Sequence, residues 1–97
     1  MPKHRVLVEG QNFLMEMDGI RQRLGFFTHV FVEAADATKA ETTAVEVLRN
    51  DQTLRAGVLN AREDPPRLVV LEIKPVRSFK GCTLPRTGLA FFPEVQK

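Results

Sequence analysis

Phe26-Phe27-Thr28-His29-Val30-Phe31-Val32 decides how this chain folds. Apart from His29, every residue in it is β-branched or aromatic, and neither Gly nor Pro interrupts it, which is the composition of a strand. Side chains alternate across a strand, so Phe26, Thr28, Val30 and Val32 share one face while Phe27, His29, Phe31 and Glu33 share the other. Both sets are largely apolar, which implies a strand covered on both sides.

Upstream, Arg5 to about Met17 is periodic: Val6-Leu7-Val8 first, then Phe13, Met15 and Met17 alternating with Leu14 and Glu16. Gly10-Gln11-Asn12 breaks the pattern, predicting a bulge in one long strand or a split into two. Asp18-Gly19 is a turn signal, and Leu24-Gly25 leads into the decisive strand. Downstream, Ala37, Ala40, Ala44, Val47 and Leu48 fall at three- and four-residue spacing and predict an amphipathic helix. Asp36 or Thr38 is its expected cap, with Glu41 completing a capping box on Thr38 and Asn50 expected as a left-handed residue at its end. Asp51 to Val58 is expected to add another helical turn, anchored by Leu54 and Val58. Glu63-Asp64-Pro65-Pro66 is a connector that no helix crosses. Arg67 to Val76 is the third strand, and Leu89-Ala90-Phe91-Phe92, stopped by Pro93, a short edge strand.

The expected fold is therefore α+β, with residues 1–97 as one domain. Its sheet has three to four mainly antiparallel strands in the order β-β-α-β-β, following split, ferredoxin-like logic, with one helix packed on one face. A right-handed crossover leaves the second and third strands parallel, with the first between them.

At 97 residues the chain buries roughly two thirds of its unfolded surface, enough to fold alone with little margin. A hydrophobic content of 43% and a charged content of 27% are ordinary for a globular protein and do not favour disorder. No apolar run approaches the roughly 20 residues that span a membrane. Only Val6-Leu7-Val8 follow the basic start Met1-Pro2-Lys3-His4-Arg5, too few for a secretion signal. Cys82 stands alone, which suits a reducing compartment, so a cytoplasmic protein is expected. The net charge of +2 argues for no partner class, but its distribution is uneven. Five acids face Lys39 and Arg49 between Glu33 and Asp51, whereas five bases face only Glu72 between Pro65 and Gly88.

One helix covers one sheet face, so the other is left with large apolar side chains. That face holds either Phe27, His29 and Phe31 or Phe26, Val30 and Val32, with Leu68 and Val70 or Val69, Leu71 and Ile73 alongside. Phe27, His29, Phe31, Leu68 and Val70 are the expected interaction face. Three covers compete for it: segment 77–97 folding back, a second copy of the chain, or a different partner. The expectation carried forward is a homodimer, within a non-catalytic protein-interaction module.

Two alternatives stand beside it. Lys74, Arg77, Lys80 and Arg86 in the 74–86 loop are candidate contacts for an anion or a nucleic acid, with Phe79 to stack on a base. A small dimeric enzyme or ligand-binding protein would instead use a pocket near His29. Glu33, four residues along the strand, is roughly 13 Å away, so a carboxylate for His29 has to come from Glu9, Glu16 or Glu72 on a neighbouring strand. The plainer account of His29 is a histidine lining a core or interface. Cys82 in Lys80-Gly81-Cys82-Thr83 has a nearby lysine but neither a resolving cysteine nor a local base, which points to an inert thiol. No catalytic residue is assigned, and no cofactor or metal is expected: the chain has no phosphate-loop, dinucleotide, Cys-x-x-Cys or His-Glu-x-x-His pattern.

Overall fold

In a computed structural model, residues 1–94 are described. Val95, Gln96 and Lys97, the end of the expected covering segment, lie outside the described residues. The elements run β1 (Lys3–Met17), β2 (Ile20–Glu33), α1 (Ala37–Arg49), α2 (Gln52–Gly57), β3 (Arg67–Val76) and β4 (Ala90–Pro93). They build a four-stranded antiparallel sheet in the order β3-β1-β2-β4. Both helices occupy one face. β1 lies between β2 and β3 as expected and β4 joins the β2 edge, but the order is not a ferredoxin-like one and the helix layer holds two helices rather than one.

β1 and β2 form one long hairpin in register from Met17↔Ile20 to Lys3↔Glu33. Asp18 (φ 54°) and Gly19 (φ 77°) both take positive φ, as a two-residue type I′ turn demands. This turn's twist matches that of the strands, so pairing starts at once and β2 begins six residues before the stretch that announces it. The interruption at Gly10-Gln11-Asn12 is a bulge within one strand: register shifts between Gly10 and Phe13, and Asn12 sits at φ 59°.

Gly10 is required by its neighbour. A Cβ there would fall 2.1 Å from the Phe26 ring, which lies over the Gly10 backbone in the directly opposed position. Phe26 is fully buried, packing edge-on against Phe13 at 5.1 Å and Phe91 at 5.7 Å. Around it, Val6, Val8, Leu24, Val30 and Val32 line the helix side of β1 and β2. Ala40, Ala44 and Leu48 of α1 and Leu54 of α2 close the core from the other layer. Alanine at two of these positions lets α1 sit close on the sheet.

Asp36 caps α1 by accepting from the Lys39 N–H at 2.8 Å, two residues ahead of the alternative cap at Thr38. Asn50 ends the helix at φ −97°, outside the left-handed region, with its side-chain amide donating back to the Glu46 carbonyl. Asp51 then caps α2 through the Leu54 N–H at 3.2 Å. Two polar side chains enter the core face. Thr28 is satisfied by the Thr87 carbonyl at 3.0 Å, whereas His4 is buried with no partner on Nδ1 among the described residues.

Replacing Gly10 with valine is expected to destabilise the protein by about 3 kcal/mol, since a branched side chain must displace a fully packed ring. Urea unfolding monitored by circular dichroism measures the loss, and a change within error of zero contradicts the packing described.

Candidate functional site

The register sorts the expected site residues onto opposite sides of the sheet. Phe27, His29 and Phe31 project to the outer face, away from the helices. Leu68 and Val70 do not join them: they oppose Gly10 and Val8 and pack, half-buried, against the helix-side core. The register of β3 against β1 was invisible in the sequence, because Leu71 is an extra residue where Leu7 pairs with Glu72 but Val8 pairs with Val70. One inserted residue exchanges the two faces.

Segment 77–94 crosses from β3 to the far edge of β2. On the way Phe79 packs on Phe31, with ring centroids 5.9 Å apart, and the Lys3 ammonium lies 5.9 Å from the Phe79 ring. The segment then follows the β2 edge. The Phe31 N–H donates to the Pro85 carbonyl at 2.9 Å, the Thr87 N–H to the His29 carbonyl at 2.9 Å, and the His29 N–H to the Thr87 hydroxyl at 3.0 Å. β4 completes the edge, pairing Phe27 with Ala90 and Gly25 with Phe92. Phe92 stacks on Phe27 at 5.3 Å over the space that Gly25 leaves. The cover is partial: the Phe31 end is roofed, and Phe27 remains 41% exposed.

His29 is half-buried on this face opposite Leu7, and its imidazole has no hydrogen bond or ion pair among the described residues. Cys82 is half-buried in a turn whose N–H reaches the Phe79 carbonyl. The four bases of the 74–86 loop do not converge. Lys74 pairs with Glu72 at 3.6 Å, and Arg77 and Lys80 are exposed. Arg86 turns to the helix side, where its Nε lies 2.6 Å from the Asp51 carboxylate. Both side chains are mostly buried (18% and 12% exposed), and Asp51 at the same time caps α2. Arg86 is thereby a tie between the β2 edge and the helix layer.

Two groupings were missed by sequence reasoning. The first gathers at the bulge. Asn12 donates to the Asp64 carboxylate at 2.9 Å and accepts from Arg23, Arg23 pairs with Asp64 at 2.8 Å, and Asn60 donates to the Asn12 carbonyl at 2.8 Å. Glu94 accepts from the Asn12 N–H at 3.1 Å. Every group here serves another within the chain, so the cluster fastens the 58–66 connector to the bulge. The second is a groove of ≈ 610 Å³ between the helices and the start of β3. Phe13, Leu48, Leu54, Val58 and Leu68 form its apolar walls. Arg49, Arg55 and Arg67 stand around it, all exposed. Arg49 and Arg55 are six residues apart on either side of the break between two helices, a spacing that no single-helix pattern reveals.

Comparison with protein-family models, curated proteins and solved structures returned no match. Among the described residues, no helix is long and apolar enough to cross a membrane, and no three His, Cys, Asp or Glu side chains gather to hold a metal ion.

Burial raises the Asp51 pKa, but the hydrogen bond from Arg86 and those from the Leu54 and Thr53 backbone outweigh it, holding the carboxyl below its ordinary value. A carboxyl depressed in the fold stabilises fully above the unfolded value, and that contribution is lost as pH falls through the depressed one. Arg86→Gln is accordingly expected to cost about 2 kcal/mol at neutral pH. The variant should also lose less stability than the parent between pH 5 and pH 2, as thermal melts across that range will show.

Proposed function

We propose that the chain is a non-catalytic protein-interaction module that pairs with a second copy of itself through the outer sheet face. The observation that carries this reading is the Phe27–Phe92 stack, standing in a sheet face over which no helix lies among the described residues, with Leu7 and His29 beside it. Aromatic side chains ringed by polar ones are what the centres of protein interfaces are made of. The charges of this face suit self-association. Arg5, Lys74 and Lys3 are interleaved with Glu9, Glu72 and Glu33, so an identical copy brings both signs and no net repulsion.

The alternatives draw less support. A nucleic-acid grip on the 74–86 loop needs Arg86 beside Lys74, Arg77 and Lys80, and Arg86 is committed to Asp51. A reaction at His29 needs a group to orient the imidazole, and its nearest strand neighbour is Leu7.

Size-exclusion chromatography with light scattering is expected to give twice 11.0 kDa for the parent and the monomer mass for Phe27→Asp, with the melting temperature nearly unchanged because Phe27 is outside the core. Val32→Asp, by contrast, should unfold the chain, because Val32 is buried on the helix side. A monomeric parent at sub-millimolar concentration contradicts the reading.

A further inference from the structure

β3 is a ten-residue strand at the open end of the sheet, and among the described residues it pairs only with β1. Its outward backbone N–H and C=O groups are a template for one more strand. The two halves of that edge differ. From Leu71 onward it is guarded: Leu71 is the bulged residue, Glu72 and Lys74 are charged, and Pro75 has no N–H to offer. From Leu68 to Val70 none of these devices is present, and this unguarded stretch borders the groove walled by Leu48, Leu54 and Val58.

We infer that the Arg67–Val70 edge and the adjoining groove receive an extended, acidic segment of a partner protein, added to the sheet as a fifth strand. Alternate side chains of such a segment point to the helix side, where the groove accepts an apolar one. A volume of ≈ 610 Å³ is ample for a large side chain with its neighbours. Acidic residues flanking it meet Arg49, Arg55 and Arg67, whose planar guanidinium groups pair with carboxylates through two hydrogen bonds at once. Of these three, none forms an ion pair among the described residues.

A second copy suits the edge less well: its own β3 carries a single acid, Glu72, which is already paired with Lys74, so it offers no free carboxylates to the groove arginines. A nucleic acid matches the arginines but leaves the apolar walls and the strand edge unused. This surface lies across the sheet from Phe27, so the inference stands or falls independently of self-association through the outer face.

Selection of random octapeptides displayed on phage against the full chain tests it. The expected winners carry Asp or Glu on either side of a large apolar residue. A synthetic winner should shift the amide resonances of Arg67 to Leu71, bind at least tenfold more weakly to Arg49→Gln/Arg55→Gln, and lose binding when its alternate backbone nitrogens are methylated. Both substituted positions are exposed on the helices, so the fold is preserved. Failure to select any peptide, winners without acidic residues, indifference to backbone methylation, or displacement of the peptide by a short oligothymidine would each overturn the inference.

Discussion

The ring of Phe26 occupies the place where a side chain at position 10 would be, and much of the molecule is arranged to keep it there. Burying such a ring is worth about 2–3 kcal/mol, and that gain requires a bare backbone on the opposing strand. Gly10 supplies it, and the bulge that begins beside it turns Phe13 inward to meet the ring's edge. Phe91 of β4 meets the ring from the other side, so the short final strand is anchored by the same contact. The bulge in turn exposes backbone groups that no strand satisfies. Asn60 and Glu94 bond them while Asp64 accepts from the Asn12 side chain, which holds the connector before β3 and the chain after β4 at one point.

Much of this fold was legible in the sequence because its signals are local. Asp18-Gly19 announces its turn, the alanine stripe announces the helix, and Pro65-Pro66 announces the break before β3. Placing β1 between β2 and β3 followed from the handedness of a crossover. What escaped was set by contacts between distant segments. The bulge at Leu71 has no sequence signature, so Leu68 and Val70 were assigned to the wrong companions. Asp51 to Val58 reads as one more helical turn, but nothing local shows that its Asp51 cap is held by Arg86, 35 residues away. The groove depends on the angle between two helices, and the arginines around it are adjacent only once that angle exists.

The two exposed surfaces differ in a way that charge makes plain. The outer face mixes acids with bases and centres on aromatic rings. The groove is rimmed by arginine alone and has a strand edge beside it. A surface that contains both signs is compatible with its own image, whereas one of a single sign needs a partner of opposite character. The tie between Asp51 and Arg86 keeps the helix layer and the β2 edge from sliding relative to one another, so the groove and the outer face are held on one frame.

The chain encircles its own sheet: it passes from β2 to β3 over the helix face and from β3 to β4 over the opposite one. Under mechanical load this makes the molecule directional. A pull applied beyond β4 meets a strand of four residues at an edge, which opens one hydrogen-bonded pair at a time and frees the crossing segment behind it. A pull applied at β1 meets a central strand of 15 residues bonded on both flanks, whose bonds must shear together. A machine that threads proteins through a pore would unravel this one readily from its last strand and stall at its first.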